Sequence, residues 1–350
     1  MAVLLTRTDK GGLSVFYMLM LRRMGTQWLI GTEGQGVKEI SAIFNITRLH
    51  TAAGNVGNWG CGLAICRAYS KVRKIPGGLL QDNLAHLAWI AEETVKHRAS
   101  AHFTHLDVAL QGALEQDLDK MVANTKAAQL IPNNKTTVVA LLRLLLPPMK
   151  AQVSVTSVHG LRQCMECLGG VGYCENNEGG SLMNIAKVYR DNLLNPIWEG
   201  TVSVMAEGIV RVLTDKRLGD GDVFKNIFAS LIKDVLDHCS STFQGELPIV
   251  QERLEALNDL VHDAQKEELL YRGRQVLKHF EVIVSSIALM YDAQANPDTV
   301  TQEIAARWIR MNALPPQMNE RSRGWKVLSS MDKHIFFGTP DVNLEVSAKL

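Results

Sequence analysis

Residues 194–204, LNPIWEGTVSV, hold one acidic side chain, Glu199, in an otherwise uncharged run, beside Trp198 and ahead of Gly200-Thr201. A carboxylate in a partly apolar pocket resists ionising and is a stronger base once ionised. That suits removal of a weakly acidic proton next to a carbonyl, for which the best base titrates near working pH. Gly200 lets a substrate approach the backbone, and Thr201 can cap a following helix. The plainer reading of the same spacing is a glutamate at a helix N-terminus, stabilised by about 0.3–1 kcal/mol. Spacing alone favours the plainer reading.

A second constellation is CMECLGGVGY, residues 164–173. Gly169, Gly170 and Gly172 after a helix can free backbone N–H groups for a phosphate. The pattern is neither a dinucleotide fingerprint nor a P-loop. It also reads as a glycine-rich helix end. Zinc through Cys164, Cys167 and Cys174 would lack a fourth ligand, so no metal is expected. Arg73, in RKIPG, can hold a phosphate bidentately or simply neutralise a helix C-terminus. Arg48, in NITRLH, lies on or beside an apolar face, which marks a core ion pair or an active site.

The elements that must position these residues are mostly helical. Apolar positions at Ile40, Ile43, Phe44, Ile46 and Leu49 predict a helix over 37–74. Gly54, Gly57, Gly60 and Gly62 within it call for close approach by another helix or a ligand. Further helices are predicted over 84–114, from Thr136 or Thr137 to 168, and from about 201. Pro147-Pro148 should kink or split the third. Beyond residue 216, helices are expected over 223–236, 247–270, 275–291 and 300–311. The first 32 residues are the least regular, with a short strand at 28–31, and a turn at 33–36 follows.

The chain has 350 residues with 37 basic and 36 acidic side chains. That balance gives no general attraction to nucleic acid or to a membrane. Six cysteines without a dense framework read as free thiols in a reducing compartment. The best membrane candidate, 138–149, is broken by Arg143 and the two prolines, so no spanning helix is expected. The tail Ser347-Ala348-Lys349-Leu350 is similar to the peroxisomal address, so a peroxisomal location and an import receptor as partner are expected.

Taken in order, WLIGTEGQG, NITRLHTAAGNVG, RKIPG, ECLGGVGY and YRDNLLNPIWEGT resemble the C-terminal half of the acyl-CoA dehydrogenase family over residues 28–213. LRLLLPPMK and LNPIWEGT look most like its alkylation-response, AidB-like branch. The resemblance extends more loosely through Ala305-Ala306-Arg307-Trp308. It implies an all-α fold: the four-helix bundle of that family's C-terminal domain, with a helical C-terminal extension and a short β remnant at the N-terminus. The implied division is 1–33 for the remnant of a middle β-domain, 34–215 for the bundle and 216–350 for the extension with its targeting tail.

The resemblance also implies FAD as cofactor and an acyl-CoA as substrate. Glu199 falls on the base that removes the α-proton of an acyl thioester while the β-hydrogen leaves as hydride to the flavin. Arg73 falls where the family contacts the flavin pyrophosphate, commonly from a neighbouring subunit. Glu166, Gly169 and Gly170 fall on the glycine-rich flavin-contact segment, and Thr201 and Ser203 near the adenine end. Arg48 falls near the substrate pocket, and Arg190-Asp191 on a structural ion pair.

Two substitutions depart from the family pattern: Pro76 replaces an aromatic and Leu84 a polar residue. An N-terminal helical domain and most of a β-domain are missing relative to full-length relatives, so the resemblance is to an N-terminally truncated one. The expected function is α,β-desaturation of an acyl thioester in peroxisomal lipid or specialised metabolism, by a homo-oligomer. The alternative is a catalytically degenerate helical subunit that oligomerises with a full-length relative. Nucleic-acid binding, which the AidB-like branch brings to mind, needs a basic stripe that the balanced charge does not supply.

Overall fold

The computed structural model describes residues 2–7, 12–19, 26–175, 184–314 and 324–337. The tail at 347–350 lies outside them. The chain divides into two compact units, 1–205 and 206–350.

The first unit is built on three long helices. α1 (Gly36–Val72) carries Glu39 in its first turn and Lys71 in its last, both signs matched to the helix dipole. α2 (Leu84–Glu115) starts where the Asn83 side chain accepts the His86 N–H at 3.0 Å. After the short α3 (Leu118–Asn124), α4 (Lys135–Cys167) starts on Asn134, whose side chain accepts the Thr136 N–H at 2.8 Å. Cross-contacts fix their directions. Asn55 meets Ser154 and Cys66 meets Cys164, so α1 and α4 run parallel. His97 lies 3.0 Å from the Val56 carbonyl, and His86 lies 3.0 Å from the Ser70 hydroxyl, so α2 runs against α1. Between the helices sits a core of Trp59, Leu63, Cys66, Leu161, Cys164 and Leu168. Two short helices follow, α5 (Gly170–Tyr173) and α6 (Ile185–Asn192), and α7 (Val202–Leu213) opens in this unit with Val202 and Met205 buried.

Two expectations, on the prolines and on the glycines, are corrected here. Pro147 and Pro148 lie inside α4, which is not split. Each proline removes one backbone donor and costs about 3 kcal/mol in a free helix. Here both are buried, with nearly all of residues 138–154 around them, so tertiary packing outweighs propensity. α4 is also the one described helix long and apolar enough to cross a membrane; most of its apolar window is buried in the protein, so it reads as a core helix. Of the four α1 glycines, Gly60 meets His97 and Gly62 meets Leu161 and Cys164, while Gly54 and Gly57 face open space. A tighter glycine is elsewhere: at Gly160 on α4 a Cβ would lie 2.0 Å from the Trp59 indole.

The N-terminal segment is more regular than its sequence indicates. β1 (Ala2–Arg7), β2 (Leu13–Leu19) and β3 (Thr26–Ile30) form an antiparallel meander, with Leu4 opposite Phe16 and Phe16 opposite Leu29. β1 and β2 are nearly continuous apolar runs, which lack the alternation that identifies a half-buried strand. β2 packs on α1, and buried Ser14 accepts the Gly34 N–H at 2.8 Å.

The second unit is helical throughout its described residues. A π-helical turn, Phe224–Ala229, runs directly into α8 (Ser230–His238). The single helix expected over 247–270 is two, α9 (Leu247–Asp263) and α10 (Lys266–Tyr271), because Ala264 and Gln265 are extended. α11 (Gly273–Ala295) is almost wholly buried and packs on α8, α9 and α12 (Thr299–Asn312). Phe224 and Phe228 stack around Phe280 of α11. α13 (Trp325–Phe337) has no counterpart in the sequence reading.

Candidate functional site

Glu199 lies in the turn between α6 and α7. It is not a helix N-terminal glutamate, because α7 begins at Val202 and has no acidic residue in its first turn. The capping contact belongs to Thr201, whose hydroxyl accepts the Val204 N–H at 3.4 Å. Glu199 has φ of 56° and Gly200 has φ of 102°. A side chain in the left-handed region costs roughly 1–2 kcal/mol. At Gly200 a Cβ would lie 2.5 Å from the Met205 methyl, the movable end of that side chain, so it is the positive φ that calls for glycine.

Two cations hold this turn. The Lys150 ammonium, on α4, donates to the Trp198 carbonyl and to the Gly200 carbonyl, each at 2.6 Å. Arg48 Nε, on α1, donates to the Glu199 carbonyl at 3.2 Å. Three successive carbonyls are therefore taken by two charged side chains. Bonds to charged groups contribute about 1.5–3 kcal/mol each, and against that stands the cost of burying the ammonium. Lys150 is 0% exposed. Burial, then the nearby Arg48 charge, push its pKa down to about 8, against the opposing pull of Glu199. The Arg48 guanidinium also stands 5.8 Å from the Phe44 ring.

Polar side chains support the turn from beneath. Asn195 donates to Asn55 and Asn192, and the Trp198 indole N–H donates to Asn195 at 3.0 Å. Asn55 donates to Ser154 at 2.8 Å, Ser154 donates to the Lys150 carbonyl at 2.7 Å, and Asn192 donates to Ser157 at 2.9 Å. This ladder ties α1, α4 and α6 to the segment that carries Glu199.

The carboxylate itself is half-buried. Its Oε2 is sealed from solvent and has no hydrogen-bond partner. The expected apolar pocket is corrected to a mixed one: Trp198 is 45% exposed, and the nearest charges are Lys150 and Arg48.

The predicted residues fall into two groups. Arg48, Glu199, Thr201 and Ser203 are together, Thr201 and Ser203 exposed at the start of α7. Glu166, Gly169, Gly170 and Arg73 are at the other end of the bundle. Glu166 is exposed and paired with Arg162 at 2.6 Å. Gly169 has φ of 64°, and a Cβ on Gly169 or Gly170 would meet nothing within 4 Å. Arg73 is the exposed cap residue of α1. From Arg48 to Arg73 along the single rod of α1 is about 37 Å at 1.5 Å per residue. One copy of the chain does not bring the two groups together.

Cys164 and Cys167 are buried and Cys174 is exposed; all six cysteines are free. Among the described residues no group of His, Cys, Asp or Glu could hold a metal ion. Arg190 does pair with Asp191, at 3.6 Å, but lies nearer to Glu175 at 3.1 Å. The sequence reading missed Lys150 and the Asn-Ser ladder. The available signal was one lysine inside the apolar run LLLPPMKAQV.

Residues 113–214 match the family model described as acyl-CoA dehydrogenase, C-terminal domain. Acyl-CoA dehydrogenase family member 11 of Caenorhabditis elegans is 25% identical over 303 residues, 81% of this chain and 43% of that protein. Putative acyl-CoA dehydrogenase AidB of Escherichia coli K12 is 26% identical over 206 residues, 58% of this chain and 33% of the relative. The chain thus spans less than half the length of these curated relatives. Among solved structures, Caenorhabditis elegans ACDH-11 in complex with C11-CoA matches with a TM-score of 0.75 at 21% identity, over 96% of this chain and 56% of that one. An acyl-CoA dehydrogenase from Bacillus anthracis complexed with FAD matches with a TM-score of 0.63 at 13% identity, over 98% and 64%. The structural matches show the helical fold. The family model and the curated relatives show a chain similar to acyl-CoA dehydrogenases over part of its length.

Proposed function

We propose that this chain is an FAD-dependent oxidoreductase of the AidB-like branch that desaturates an acyl-CoA at its α,β bond. The observation that carries the reading is Glu199: a carboxylate oxygen sealed from water, with no partner, on a turn clamped by two cations. In this reading Glu199 takes the α-proton of the thioester. The flavin supplies the acceptor for the β-hydrogen, which leaves with its electron pair. Thr201 and Ser203, beside the base, hold the adenine end of the cofactor. Arg73 would receive its pyrophosphate, and Glu166, Gly169 and Gly170 would contact the flavin, from a second copy, because within one chain they stand at the far end of the bundle. Ile43 and Ile46, within two turns of Arg48, and Ile197, Trp198 and Val204 around the base offer exposed apolar surface for an acyl chain.

Two measurements test this. The purified chain should show a bound flavin spectrum or take up added FAD. Glu199→Gln should lose dehydrogenation by about 10²–10⁴-fold while keeping fold and flavin. Unchanged turnover in that variant would remove the base. The same exposed apolar side chains favour a second reading, a helical subunit completed by a full-length relative. A colourless wild-type protein that takes up no FAD alone but does so when mixed with such a relative would favour it.

A further inference from the structure

We infer that Lys150 is a positioning residue that aims the Glu199 carboxylate by holding the carbonyls on either side of it. The inference rests on the reading of Glu199 as the base. An ammonium inside the core needs a reason, because a methionine would fill the same space without a buried charge. The reason is in the geometry. Trp198 and Gly200 are the residues before and after Glu199, and Lys150 takes both carbonyls at 2.6 Å. Lys150 thereby fixes the peptide plane before Glu199 and the plane after Gly200, so the two-residue turn is pinned at both ends, although the Glu199 φ of 56° is a conformation that glutamate rarely adopts. Arg48 takes the remaining carbonyl. Lys150 is itself held, since Ser154 donates to its carbonyl and connects it to the Asn-Ser ladder.

Lys150 touches only the backbone of the turn, so it acts through Glu199. Its loss should therefore change the alignment of the base and leave substrate and cofactor contacts in place. A misplacement of about 1 Å at a reacting group costs on the order of 10²-fold in rate.

The test is Lys150→Met, close in shape but without a donor. In the ligand-free protein, amide exchange across residues 198–204 should quicken about tenfold, with the thermal midpoint unchanged or raised. In the flavin-loaded protein kcat should fall about 10²-fold, with flavin content and KM for the acyl-CoA within about threefold of wild type. Lys150→Gln, which keeps a donor, should recover part of both effects, and it serves alone if the methionine variant does not fold. Turnover within twofold of wild type, or unaltered exchange in the turn, would overturn the inference. So would a loss of flavin content or a rise in KM that matches the fall in kcat, since that describes general damage to the site. A wild-type protein without flavin or turnover would defeat the reading of Glu199, and the exchange measurement would still decide whether Lys150 holds the turn.

Discussion

Asp107, on α2, is fully buried and neither carboxylate oxygen has a partner. Burial raises its pKa well above the usual carboxylate value. The unfolded chain releases this proton near the ordinary value while the folded chain keeps it. Stability therefore falls as pH rises from the ordinary carboxylate range towards the raised folded value. Asp107→Asn, which cannot ionise, should melt a few degrees above wild type at pH 7.5, and the gain should vanish near pH 4. A melting difference independent of pH would exclude this account. Asp107 was invisible in the sequence because a lone aspartate on a helix reads as a solvated one. Glu199 was visible for the opposite reason, its isolation from other charges. Lys150 is isolated in the same way, inside α4, yet its role depends on a turn about fifty residues away that periodicity cannot place.

The long helices were legible because their apolar spacing persists over many turns: α1, α2 and α4 end within two residues of their expected limits. The pair Pro147-Pro148 misled, since local propensity argues against a helix that packing on both neighbours enforces. The Ala264-Gln265 break misled in the other direction, because no glycine or proline marks it. Gly160 on α4 makes room for the Trp59 side chain of α1. Gly160→Ala would drive a methyl into the Trp59 indole, which is 0% exposed and edge-on to His97. The cost should be about 1–3 kcal/mol, read as a lower denaturation midpoint with an unchanged slope. No change in midpoint would mean that the two helices can part at this level without penalty.

Across the first unit as a whole, the proposed cofactor residues stand in two groups at different levels of α1, and the proposed function therefore requires each site to be assembled from two copies. Arg73→Ala and Glu199→Gln should each be inactive alone. Unfolded together and refolded, they should regain about a quarter of wild-type turnover, the fraction set by random pairing in an isologous dimer. No recovery from a mixture shown to contain hybrid dimers would place both groups on one copy's site. Motif order in the sequence indicated which residues share a cofactor, but it carries no information on how far a helix separates them. α1 is a ruler. One residue inserted between Arg48 and Arg73 would turn one end against the other by about 100° and lengthen the rod by about 1.5 Å. An exposed substitution on that segment would leave both ends where they are, whereas a single insertion would move one against the other.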